Sequence, residues 1–594
     1  MKIDHLKDLR AWLSGEGLDG FIVPRNDEHH CRSIPEKDQR LRWLTGFTGS
    51  AGVALVLRER AFIFVDGRYS IQAAQQMDMT QFEMQNLLKT PPAEWIRKNL
   101  PFGIRLGYDP KLHTVTDGNA LRSSVKGRDG ELVAIANNPI DQLWKDRPLP
   151  QQAPIVLHDL NFAGESSEKK RMKLAVELQH EKIDCLLLTQ LESIAWLLNI
   201  RGGDLAFVPV TIGYAILYAD GRAQLFVDPL KVSTSVASHL GAQHVAVQPL
   251  DDFSEAIEHL AAKRRSVGLD PNSCSDWLHD KLRRGGAVVR LIRDLCIAAR
   301  ASKNSLELAG SRAAHLRDGV AFSRFLAWVD SGQALHLTEL ELAAKLNGFR
   351  EESEFYRGPS FSDISAVSPN SALAHYNPVP ESQHRLELDT LYLIDSGAQY
   401  LDGTTDATRT IAVGSPTVEM RRHFTLVLKG HIALACARFP LGTSGQQLDT
   451  LARFPLWLAG LDYDHGTGHG VGSYLSVHEG PQRIAKDGPA PLEAGMIISN
   501  EPGYYKLGTY GIRLENLMAV QEAPRVAGAE DPSLQFEVLT LIPFDRRLID
   551  LSLLTSGERD WVDSYHARVF TLLESQLSVT DRNWLISATA PLGD

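Results

Sequence analysis

Cysteine is scarce, with five residues in 594: Cys31, Cys185, Cys274, Cys296 and Cys436, none in CxxC spacing. An odd, scattered set excludes a disulfide framework and a thiolate metal cluster, and reduced structural thiols point to a cytoplasmic protein. Long apolar runs are missing as well: no stretch approaches the roughly 18 uninterrupted apolar residues of a membrane span. The opening MKIDHLKDLRAWL carries charge throughout, lacks the apolar segment of a signal peptide, and reads as an amphipathic helix. Nor is there a long run of like charge. The 62 basic residues against 73 acidic ones leave −11, which argues against nucleic acid or an anionic membrane as a partner.

A chain of 594 residues with 43% hydrophobic content is too long for one core and should divide into about three domains. An approximate repeat marks the first two, 1–150 and 151–302. GFIVP, RWLTGFTGSAGVALVL and AFIFVDGRYS parallel DCLLLT, AWLLNIRGGDLAFVPV, YAILYADGR and AQLFVD. Two similar α/β domains, each with a mixed sheet, are expected. The first copy contains an insertion, NDEHHCRSIPEKDQR, whose Asp27, Glu28, His29 and His30 stand beside Arg25 and Arg32 and read as a solvated loop. Asp66-Gly67-Arg68-Tyr69 reads as a turn after a buried strand.

The chemistry concentrates in residues 393–516. Asp395 lies in the apolar run LYLID, and Asp406 follows eleven positions later, past an Asp402-Gly403 pair read as a hairpin turn that sets Asp395 opposite Thr410. Glu501 closes a second apolar strand, a loop forms around Gly508, and Glu515 lies on the returning strand; HGTGHGVG, with His465 and His469, separates the two hairpins. Carboxylates plus one imidazole suit a hard or borderline divalent ion such as Mn²⁺, Co²⁺ or Zn²⁺. Four clustered carboxylates need cations, and a pair of ions would yield a bridging hydroxide for hydrolysis.

This ordered set resembles the pita-bread metallopeptidases and, among them, the Xaa-Pro aminopeptidase (aminopeptidase P) family in its long, three-domain form. The resemblance implies two creatinase-like α/β domains followed by a pita-bread metallopeptidase domain over 303–594 with a helical tail. It places metal ligands at Asp395, Asp406, His469, Glu501 and Glu515, with Mn²⁺ as the implied ion and Glu501 as the proton shuttle. His375, His465, His478 and Arg513 match positions lining the substrate site, and Arg68 is a further contact candidate. Arg513 is equally readable as a counter-charge to the acidic cluster. Cys31-Arg32-Ser33 departs from the family, where a Glu-Tyr pair is expected.

Helices are expected from Ser305 to Val329, after a Thr338/Glu341 capping box, from Ser415-Pro416 to about Arg438, from Ser444 to Leu458 with Pro455 inside, and after a Thr555/Glu558 capping box. The implied activity is removal of the first residue from peptides with proline second, by a homodimeric enzyme. A prolidase acting on Xaa-Pro dipeptides is the alternative, disfavoured by length and tail. A non-catalytic binding module on the same fold would have lost ligands. Methionine aminopeptidases lack the two large N-terminal domains, and creatinases lack the acidic set.

Overall fold

The computed structural model describes residues 5–528 and 530–593. The chain forms two compact units, one of Met1–His158 with Glu165–Cys296 and one of Asp159–Gly164 with Ile297–Asp594.

The first unit holds two six-stranded sheets built to one plan. The first runs Glu83–Asn86, Ala61–Val65, Gly52–Leu57, Gly20–Pro24, Arg105–Tyr108, Glu131–Ala134 across the sheet. The second runs Val245–Pro249, Ala223–Val227, Gly213–Tyr218, Cys185–Leu188, Ser266–Leu269, Val288–Leu291. In both, the central strands pair antiparallel and the outer ones parallel, so each sheet is mixed as the repeat suggests. The fully buried strands GFIVP, AFIFV and CLLL are apolar on both faces because helices cover both sides.

The Asp27–Cys31 segment is not the solvated loop expected from its polarity. Asp27 is 2% exposed, and its Oδ1 accepts the N–H groups of His29 and Cys31 at 3.1 and 2.9 Å. His29 reaches the second repeat through Nδ1 to the Thr189 carbonyl at 3.1 Å, with its ring 4.5 Å from Tyr214. Glu28 accepts from Lys111 Nζ and Tyr214 OH at 3.2 and 3.3 Å. His29 and Glu28 find partners in the second repeat, Thr189 and Tyr214, which a reading of local polarity misses, while Asp27 Oδ1 is bonded within its own segment. Arg68 belongs to the short 3-10 turn Gly67–Tyr69, and its side chain lies outside what the structure describes.

In the second unit, helix Ser305–Asp330 starts at a capping box of Asn304 and Glu307, and Glu339–Arg350 at one of Thr338 and Glu341. The helix expected from Ser415-Pro416 begins two residues later. Thr417 is its N-cap, accepting from Met420 N–H, and it spans Val418–Ala435. Helix Gly445–Trp457 runs through Pro455, and the C-terminal helix Ser556–Leu573 has the expected Thr555/Glu558 box.

The strands of this unit divide among several small sheets around the site. Ile364–Val367, Thr390–Ser396 and Ala407–Val413 form one antiparallel group, and Gly503–Lys506 pairs with Tyr510–Arg513. A six-stranded sheet carries Gly468–Gly470, Ile497–Asn500 and Asn516–Glu522. Beneath them Arg409, fully buried, joins the last segment of the chain to the Glu515 strand. Its Nη1 donates to the Glu515 carbonyl at 2.7 Å; Nη2 and Nε reach the Ile542 and Pro543 carbonyls at 2.6 and 3.1 Å and the Tyr565 hydroxyl at 3.0 Å.

Candidate metal centre

Two hairpins supply the acids. In the first, Asp395 pairs with Thr408 rather than Thr410, because the two-residue turn is Leu401-Asp402 and Gly403 already belongs to the returning strand. Asp406 then falls opposite Gly397, diagonal to Asp395 on one face. In the second hairpin the register pairs Asn500 with Asn516 and Gly503 with Arg513, which sets Glu501 directly across from Glu515. The hairpins are fastened together by Glu515 N–H to the Thr408 carbonyl and by Thr410 Oγ1 with the Arg513 backbone, each at 3.1 Å.

His469 enters from Gly468–Gly470, held by its N–H to Ser499 Oγ at 2.9 Å. Its Nδ1 faces the Gly470 carbonyl at 3.0 Å and must donate there, so Nε2 is left as the acceptor. Nε2 stands 3.5 Å from both Asp406 Oδ2 and Glu501 Oε1. Asp406, His469 and Glu515 offer ligand atoms that all lie within 4.8 Å of one another. Asp395 Oδ1, Asp406 Oδ1 and Glu515 Oε1 are buried and take no hydrogen bond among the described residues. Buried oxygens left without donors are what cations would satisfy, so the donor set fits divalent metal.

Burial, then the charges of Asp395 and Glu501, push Asp406 well above the usual carboxylate range; burial, then Asp406 and Glu501, do the same to Glu515. Glu501 is raised chiefly by burial. Metal ligation requires ionised carboxylates, so loading should release protons, and apparent affinity should fall as pH is lowered. The same shifts fix a stability trend. Acids whose native values lie above their unfolded ones make the metal-free protein lose stability as pH rises from about 4 through the raised values. Calorimetric titration with Mn²⁺ in two buffers of different ionisation enthalpy reads the released protons, and equal apparent heats in both buffers would contradict the shifts.

Arg513 is brought into the cluster as an ion-pair partner, Nη2 to Asp395 Oδ2 at 2.6 Å. Its Nη1 donates to Tyr505 OH at 2.7 Å, and Tyr505 OH meets His465 Nε2 at 2.9 Å. His465 Nδ1 donates to the Gly466 carbonyl at 2.8 Å, so the chain runs from carboxylate through guanidinium and phenol to imidazole. Burial pushes the Tyr505 phenol up to about 12, so it stays protonated and able to donate to His465. His478 packs its ring 4.1 Å from that of His469. His375 follows Ala374, whose carbonyl accepts from Arg513 Nη1 at 3.2 Å.

Tyr505 is absent from the residues singled out by sequence. Its signal is register: it pairs with Gly511, two pairs along from Gly503–Arg513, and so lies diagonal to Arg513 on the same face of the hairpin.

The buried acids of the two hairpins with His469 fit a divalent-metal site, and the chain matches metallopeptidase family M24 over residues 309–522, which makes it a metallopeptidase. Creatinase/prolidase N-terminal domains match residues 5–143 and 146–307, and the C-terminal region of the M24 peptidases matches 532–592. Aminopeptidase P1 of Arabidopsis thaliana is 38% identical over 641 residues, covering 99% of each chain. A probable Xaa-Pro aminopeptidase P of Paracoccidioides brasiliensis is 38% identical over 610 residues, again with 99% of each covered. Among solved structures, X-prolyl aminopeptidase from Caenorhabditis elegans, described as a cytosolic enzyme with a di-nuclear active site, superposes with a TM-score of 0.94 at 34% identity over 99% of both chains. The chain belongs to the aminopeptidase P family.

Proposed function

We propose that this protein removes the first residue from peptides with proline second, using two divalent ions held by Asp395, Asp406, His469, Glu501 and Glu515. The observation that carries the reading is the convergence of three buried, unsatisfied carboxylate oxygens with the His469 Nε2 acceptor in a family of Xaa-Pro aminopeptidases. Asp406 and Glu515 would be shared between the ions, with Asp395 holding one and His469 and Glu501 the other. Bound ions of this kind acidify a water and offset charge on the scissile carbonyl oxygen. Manganese is the ion proposed, and elemental analysis of the purified protein checks it.

The chain's own groups then handle position and protons. Glu501, whose Oε1 accepts from Ser499 Oγ at 3.1 Å, takes the proton of the attacking water and returns it to the proline nitrogen. Without that proton the ring nitrogen is a poor leaving group. His375, His465 and His478 contact the peptide, with His465 oriented by Tyr505 and Arg513. Arg68 remains a proposed contact.

The test compares Xaa-Pro, Xaa-Pro-Xaa, Xaa-Ala-Xaa and N-acetylated Xaa-Pro-Xaa peptides with added Mn²⁺. Release of the first residue from Xaa-Pro-Xaa, with little action on the acetylated and alanine peptides, is expected. Fast cleavage of the dipeptide alone would instead establish a prolidase.

We also infer a homodimer and a cytoplasmic protein. On helix Gly445–Trp457 and its end, Leu451, Phe454, Trp457 and Leu458 are exposed at helical spacing, an apolar stripe suited to a second copy. Trp457→Glu should halve the mass measured by light scattering, and a variant that keeps the mass of two chains refutes this face. All five cysteines are free, which suits a reducing compartment.

A further inference from the structure

His375 sits in a segment with little regular structure: between Val367 and Thr390 the described chain has one short 3-10 turn, Asn370–Ala372. Its backbone is nevertheless held on both sides. On one side is the metal cluster, where Arg513 donates to the Ala374 carbonyl and Gly511 N–H donates to Ser371 Oγ at 2.9 Å. Gly511 approaches so closely that a Cβ there would lie 1.7 Å from the Ser371 carbonyl oxygen.

On the other side is Glu339, the first residue of helix Glu339–Arg350 and completely buried. Among the described residues no lysine or arginine pairs with it. Instead its carboxylate accepts the Val367 and His384 N–H groups at 2.7 and 3.1 Å, Asn370 Nδ2 at 3.1 Å and Tyr376 OH at 2.7 Å. Four donors from four points of the segment converge on one anion. A buried carboxylate without a cation is costly unless its hydrogen bonds are complete, and here completing them requires the segment to hold one shape. Tyr376 is the donor adjacent to His375, and its hydroxyl also meets the Ser382 carbonyl at 3.0 Å.

We propose that Glu339 and Tyr376 are positioning residues for His375: the buried carboxylate anchors Tyr376 while Arg513 anchors Ala374, and the imidazole between them is fixed against the peptide. This rests on His375 contacting substrate, as in the proposed function. Positioning has large leverage, since a displacement of about 1 Å can cost about 10²-fold in rate.

The test is a double-mutant cycle on the full-length, Mn²⁺-loaded protein with an Xaa-Pro-Xaa peptide. Tyr376→Phe, which removes one hydroxyl, should lower kcat/KM about tenfold with metal content retained, and the same change in a His375→Ala background should cost less than about twofold. Glu339→Gln, which keeps the shape and exchanges an acceptor for a donor, should couple to His375 in the same way. Equal losses with and without His375 would overturn the brace and leave His375 as a contact. If His375→Ala keeps wild-type kcat/KM, the contact itself is wrong, and the brace falls with it.

Discussion

Glu501→Gln should lower turnover of an Xaa-Pro-Xaa peptide by about 10²–10⁴-fold, the range of a lost general acid–base group, while the protein folds normally. The substitution is nearly isosteric. The amide oxygen can still accept from Ser499 Oγ, and the backbone N–H keeps its bond to the Thr467 carbonyl at 2.8 Å. What disappears is the group able to take a proton from water and give it to nitrogen. Because Glu501 also faces His469 Nε2, metal content must be measured beside rate, at saturating Mn²⁺. Near-wild-type turnover with both ions bound sinks the proton-shuttle role; loss of an ion would make Glu501 chiefly a ligand.

The second large effect lies at the start of the catalytic unit. Lys303 Nζ pairs with Glu479, both side chains 1% exposed, and Arg300 Nη1 approaches Glu479 Oε2 at 3.8 Å. Removing one partner of a buried pair strands the other charge, so Lys303→Met should destabilise this unit by about 3–5 kcal/mol. Adding Glu479→Leu should recover only part of that loss, because it removes the stranded carboxylate but also takes it away from the buried Arg300 guanidinium. Urea unfolding followed by tryptophan fluorescence measures both. A single variant that unfolds at the wild-type urea concentration would show the pair to be dispensable. Glu479 follows His478, so the single variant should also slow the enzyme.

The five proposed ligands were legible as an ordered series of acids and one histidine, because strand-borne carboxylates among apolar residues stand out locally. Their mutual geometry was not. Asp395 and Arg513 are 118 positions apart and meet only through two hairpins docked by Thr408 and Thr410. The first turn was misplaced by one residue because Asp-Gly favours turns. Gly403 instead lies where a Cβ would meet Ala314 Cβ at 3.0 Å, so close helix approach, and not turn conformation, explains that glycine. Ser415-Pro416 has the chemistry of a helix start, yet Thr417 does the capping. His29 reads as solvent-facing because its partners, Thr189 and Tyr214, lie in the other repeat, and Asp27 because it is bonded by the backbone of its own loop, which composition does not show.

Arg409 bears on how far this enzyme is modular. A chain ended before Ser533–Val538 would keep all five proposed ligands, and on paper would be a smaller peptidase. It would also leave a fully buried guanidinium without the Ile542, Pro543 and Tyr565 oxygens that it now binds, directly behind the strand that carries Glu515. Trimming the tail therefore reaches the proposed ligands from behind. Any transplant of this catalytic centre has to carry its last sixty or so residues as part of the same cooperative piece.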